Sequence, residues 1–108
     1  MAYDEHLAAR VRALLAGRAD VSERKMFGGL TFMVGGNMCS GVNKHELIVR
    51  LDSEREHEAL SKPHARTMDF TGRHRPGFIT IRPEGLDDNQ LDGWVHEAVA
   101  RAALLPPK

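Results

Sequence analysis

A single cysteine, Cys39, stands among the 108 residues, so no disulfide can form within the chain. No apolar run approaches the ~18 residues needed to cross a bilayer. The opening Met1-Ala-Tyr-Asp-Glu-His is too charged for a secretory leader. These absences point to a soluble, cytoplasmic protein with no membrane association. An excess of charge of one sign is missing too. Fifteen basic residues balance fifteen acidic ones. A protein that coats nucleic acid is usually basic overall, so the totals lend that role no support. The length leaves room for one domain, residues 1–108, with one modest core.

Signatures of common site chemistries are lacking as well. The histidines, His6, His45, His57, His64, His74 and His96, include no pair at i, i+2 or i, i+4, and zinc sites need clustered ligands. Gly28-Gly29 and Gly35-Gly36 match neither G-x-G-x-x-G nor the Walker A spacing. No helix N-terminus follows either pair to hold an anion. Cys39 lies mid-strand between Met38 and Ser40, with no basic neighbour to make it a thiolate. It reads as a small buried hydrophobe. No catalytic residue, metal or cofactor is expected, and the chain reads as non-enzymatic.

What is present is an architectural grammar. Leu7, Val11, Leu14 and Leu15 form one stripe of a helix over residues 4–16, with Asp4 as cap and Gly17 as stop. From Ser22 the period drops to two: Leu30, Phe32 and Val34 alternate with Thr31 and Met33. Gly35-Gly36 permits the positive φ angles of a two-residue hairpin loop, and Gly28-Gly29 reads as a bulge. Residues 37–42 return, and after a turn at 43–45 a strand over 46–51 puts Leu47, Val49 and Leu51 on one side and Glu46, Ile48 and Arg50 on the other. This is a meander of three strands, with a short one at 24–27 before it. Ser53-Glu-Arg-Glu56 has the form of a capping box, opening a short helix that Pro63 stops. Residues 62–76 read as irregular and 77–82 as a strand. Asp87-Asp-Asn-Gln90 then caps a last helix striped by Leu91, Trp94, Val95, Ala98, Val99 and Ala102.

Sequential antiparallel strands with interspersed helices predict an α+β two-layer sandwich, with helices on one face of the sheet, in the order of a helix, three or four strands, a helix, one or two strands and a last helix. Met33, Cys39 and Ile48 are expected on the second face. A sheet with one free face should be polar there, so this apolar content suggests a homodimer interface; a scatter of exposed apolar residues is the alternative. Charge is polarised along the chain. Residues 62–75 carry Lys62, Arg66, Arg73 and Arg75 against Asp69 alone, whereas 84–97 carry five acids and no base. Arg24, Lys25, Arg66, Arg73 and Arg75 are the candidate contact surface, for a protein partner or for a phosphate backbone. The other reading of these charges is a solvated loop. Only Phe70 is interleaved with the basic residues, too few aromatics for a single-strand stacking platform.

Tyr3-Asp-Glu5, Arg24-Lys-Met-Phe-Gly-Gly29, Gly36-Asn-Met-Cys-Ser-Gly41, Met68-Asp-Phe-Thr-Gly72 and Leu105-Pro-Pro-Lys108 together resemble the N-terminal domain of the TfoX/Sxy family, over essentially the whole chain. The resemblance implies an α-β(3)-α-β(2)-α fold similar to type III secretion chaperones. The name-giving members are competence regulators, co-activators alongside the cyclic-AMP receptor protein, and are not known as enzymes. They carry a second, helical domain, so the resemblance is to a stand-alone single-domain member. The family supplies no catalytic residues. Met26, Phe27, Gly28, Gly29, Gly35, Gly36 and Asn37 read as structural positions. The function implied is a regulatory protein-interaction module whose partner belongs to the transcription machinery. Direct nucleic-acid binding through 62–75 is the alternative, as is a small-molecule enzyme using Cys39 or a histidine.

Overall fold

Asp4 starts the first helix, α1 (Glu5–Leu15), as the pattern requires: its carboxylate accepts the amides of His6 at 2.9 Å and Leu7 at 3.1 Å. The same carboxylate meets His45 Nδ1 at 3.1 Å, and the Asp4 amide donates to the Lys44 carbonyl. One residue thus caps a helix and moors it to a strand turn. His45 first, and the Leu7 amide second, hold the Asp4 carboxyl below its ordinary range. This contribution to stability is present above the ordinary carboxylate pKa and fades as pH falls through the lowered one. Asp4→Ala is expected to cost about 1 kcal/mol, a fall of roughly 4–8 °C in Tm at neutral pH read by circular dichroism.

The structure, a computed structural model, describes residues 3–26, 28–67 and 76–107. After α1 come β1 (Val21–Met26), β2 (Gly29–Val34), β3 (Asn37–Asn43) and β4 (Glu46–Arg50), then α2 (Glu56–Leu60), β5 (Ala65–Thr67), β6 (Phe78–Ile81) and α3 (Asp88–Ala103). The strands make one antiparallel sheet in the order β1-β2-β3-β4-β6-β5. The α+β class stands. The short strand expected at 24–27 before the meander is a full six-residue strand, β1, which begins at Val21; its polar side chains hide its first half from a hydrophobicity pattern.

One apolar core lies between sheet and helices. Leu30, Phe32, Val34, Val42, Leu47, Val49, Ile79 and Ile81 face Leu7, Val11, Ala59, Leu91, Trp94, Val95 and Ala98. Residues of all three helices belong to this cluster, so the helices share one face. Gly35 and Gly36 (φ 60° and 82°) close the β2–β3 hairpin as expected. Asp87 and Gln90 form a reciprocal capping box on α3.

Two local expectations fail. The Ser53 box does not form: residues 53–55 make a short 3-10 turn without a side-chain cap, and Glu56 instead accepts the Gly77 amide from the start of β6 at 3.3 Å. The bulge lies in β3, not at Gly28-Gly29. Phe32 opposes Ser40 while Met33 opposes Met38, so Cys39 is the extra residue and turns into the helix-side core. Cys39 is therefore not on the second face, because the inserted residue reverses the alternation at that point.

Candidate functional site

The face of the sheet turned away from the helices has an apolar centre. Met38 and Ile48 are buried there, with Met33 and Phe78 half-buried against them. The register explains the grouping. Met33 opposes Met38 across β2 and β3, and Phe78 opposes Arg50 across β6 and β4. The Arg50 guanidinium lies over the Phe78 ring, 5.1 Å from its centroid. A cross-strand row runs Arg24, Thr31, Gly41, Ile48, Thr80, Arg66, placing an arginine at each margin of the face. Thr80 within that row is fully buried, and its hydroxyl has no hydrogen-bond partner among the described residues.

Of the expected contact residues, the three that are described do not gather into one patch. Arg24 and Lys25 are exposed on the edge strand β1, with Arg24 opposite Thr31 and Lys25 opposite Leu30, so the two point to different faces. Arg66 lies on β5 at the far edge, five strand spacings or about 24 Å away. It is neutralised by Glu46 through contacts of 2.8 and 3.3 Å. Arg73 and Arg75 lie outside the described residues, as do Phe70 and His74.

Two glycines of the motif answer to local geometry. Gly28 has φ 75° beside the Met26–Gly29 pair that closes the β1–β2 hairpin. A Cβ at Gly29 would stand 2.2 Å from the Val42 carbonyl oxygen. Phe27 lies outside the described residues. Asn37 is buried and its amide donates to the Pro106 carbonyl at 3.0 Å, so the hairpin pins the closing Leu105-Pro-Pro segment.

Cys39 is fully buried, and burial pushes its thiol pKa up to about 11, with the Ser40 hydroxyl and the Arg18 charge opposing less strongly. At neutral pH it is a thiol and a poor nucleophile. Among the described residues no three His, Cys, Asp or Glu side chains cluster as a metal site. No described helix is long and apolar enough to cross a membrane.

A groove in the helix layer was not legible in the sequence. A groove of about 450 Å³ runs between the end of α2 and the first half of α3. Arg55, Lys62 and Pro63 form one wall; Asn89, Gly93 and Trp94 contribute from α3. Arg55 makes a two-pronged ion pair with Glu97 at 2.6 and 2.8 Å and reaches Glu58 at 2.8 Å. Glu97 first, and Glu58 less, push the Arg55 pKa up. The one available signal was Gly93, a poor helix former inside the best apolar stripe of the chain.

No curated protein and no solved structure matches the chain. The model of one family, described as the TfoX N-terminal domain, matches residues 13–102. That span contains the six strands of the described residues and reaches from within the first helix to near the end of the last, and the chain belongs to the TfoX N-terminal domain family.

Proposed function

We propose that this chain is a non-enzymatic, cytoplasmic regulatory module that binds another protein, in the manner of the transcriptional co-activators that name its family. The observation that carries the reading is the second face of the sheet, where Met33, Met38, Ile48 and Phe78 form an apolar centre and Arg24, Arg50 and Arg66 stand around it. Methionine, aromatic rings and arginine are the side chains enriched at protein interfaces, and an apolar centre with a charged rim is their usual plan. Among the described residues no helix packs on that side. The exposed Arg24 at one margin favours a partner surface with an apolar centre and an acidic edge.

Affinity capture with wild type, Arg24→Glu and Met33→Glu tests this. Arg24 is exposed on an edge strand, so its reversal is expected to change stability by no more than about 0.5 kcal/mol. It should slow association and change its salt dependence, as loss of a rim charge does, whereas Met33→Glu, in the apolar centre, should weaken partner retention about tenfold or more. Wild type that sediments as a dimer, and as a monomer with Met33→Glu, would assign the face to a second copy of the chain. Retention on DNA that falls steeply with salt and vanishes in Arg24→Glu would assign it to a phosphate backbone. A monomer that retains neither a stoichiometric partner nor DNA under several growth conditions would sink the proposal.

A further inference from the structure

The groove beside α3 lies in the helix layer, on the other side of the sheet from the proposed protein-docking face, and the function proposed above does not use it. We propose that it binds a small organic anion with a flat, ring-like body, of the aromatic carboxylate class. Four observations converge. Its volume of about 450 Å³ falls within the range of small-ligand sites. Its lining combines apolar surface, from Pro63 and the 8% of Trp94 left exposed, with a few polar groups.

Gly93 is the third. Glycine in a helix interior is unfavourable, so it normally answers to a positive φ or a close approach. Here neither applies: Gly93 has no positive φ, and an added Cβ would meet nothing within 4 Å. The fold does not demand glycine at this position. What its absent side chain leaves is an open floor beside Trp94 on which a flat ring can lie against the helix backbone.

Charge is the fourth. Glu97 and Glu58 already engage Arg55, whereas Lys62 lines the groove with no ion-pair partner among the described residues. Among the charged residues that line the groove, Arg55 and Lys62 are positive and Glu97 alone is negative, so the lining carries a positive surplus, with the exposed Glu58 outside it. Its walls are also held in place before any ligand arrives, by the Arg55–Glu97 clamp on one side and the Asp87–Gln90 capping box on the other. Preformed walls reduce the ordering cost of binding.

The test is an NMR titration of labelled protein with phenylacetate, the neutral phenylacetamide and the puckered cyclohexylacetate. The chain has one tryptophan, so a single indole N–H signal reports on the groove. Phenylacetate is expected to give saturable shifts at that signal and at the Gly93 amide by about 20 mM, the range a fragment of this size can reach. Phenylacetamide, cyclohexylacetate and the Lys62→Ala variant should each bind about fivefold more weakly, the size of one exposed charge contact or one ring contact. Gly93→Ala should raise Tm and weaken binding together, a combination that a purely structural glycine would not produce. Gly93→Leu, with the remaining spectrum unchanged, should abolish binding. Absence of saturable shifts, or equal binding of the amide and the carboxylate, or an unchanged isotherm in Lys62→Ala or Gly93→Leu, would overturn the proposal.

Discussion

Gly29→Ala is expected to lower stability by about 3 kcal/mol and to bring the thermal midpoint down by roughly 12–24 °C. The new Cβ would stand 2.2 Å from the Val42 carbonyl oxygen and 3.1 Å from its carbonyl carbon. Both atoms are backbone of β3. That strand pairs with β2 on one side and with β4 on the other, so it cannot step back without breaking a ladder. The substitution must therefore open the β2–β3 pairing beside Leu30 and Val42, two residues of the main core. Gly17→Ala is the control. Gly17 has φ 93° but open space where a Cβ would go, so alanine there meets only the backbone penalty of about 1–2 kcal/mol. Urea unfolding of both variants separates steric exclusion from conformational freedom. A Gly29→Ala loss no larger than that of Gly17→Ala would show that β2 and β3 do not approach as closely as described.

The contrast between these two glycines also shows which information a sequence carries. Gly35-Gly36 could be placed because a two-residue hairpin is a local object, and its positive φ angles need only the two residues that adopt them. The α3 capping box could be placed for the same reason, since Asp87 and Gln90 are three residues apart. The reason for Gly29 could not be seen, because its crowding comes from Val42 on another strand. Ser53-Glu-Arg-Glu56 fits the local pattern as well as Asp87-Asp-Asn-Gln90 does, yet Glu56 turns to the amide of Gly77, twenty-one residues on. The basic run shows the same limit. Charges adjacent along the chain suggest a patch, but Arg66 is answered by Glu46 from another strand, and Arg24 stands at the opposite edge of the sheet. The groove was the least legible feature. Its lining spans residues 55 to 97, and only the folded arrangement of α2 and α3 brings Lys62 and Pro63 to Gly93 and Trp94.

The bulge at Cys39 has a thermodynamic consequence that can be read by pH. An alternating strand would have turned the thiol to the second face; the extra residue puts it in the core, fully buried, where the charged form is disfavoured. Its pKa rises from 9.0 to about 11. The folded state then binds this proton more tightly than the unfolded state does. The resulting stability is fully present below pH 9.0 and is lost as pH climbs through the interval up to about 11, because the unfolded thiol ionises first. Two pH units correspond to roughly 2–3 kcal/mol of alkaline destabilisation from this one group. The measurement is the difference between wild type and Cys39→Ala, which isolates this one group, by urea unfolding at several pH values from 8 upward. At pH 8 the variant should be less stable by about 1–2 kcal/mol, from the small cavity it leaves. As pH rises the gap should close and then reverse, since Cys39→Ala has no thiol to ionise. Thiol labelling supplies the independent check: native Cys39 should react only as fast as the chain opens. Parallel pH profiles for the two proteins, or native labelling as fast as that of an unfolded thiol, would place Cys39 outside the core and undo the bulge that the β2–β3 register describes.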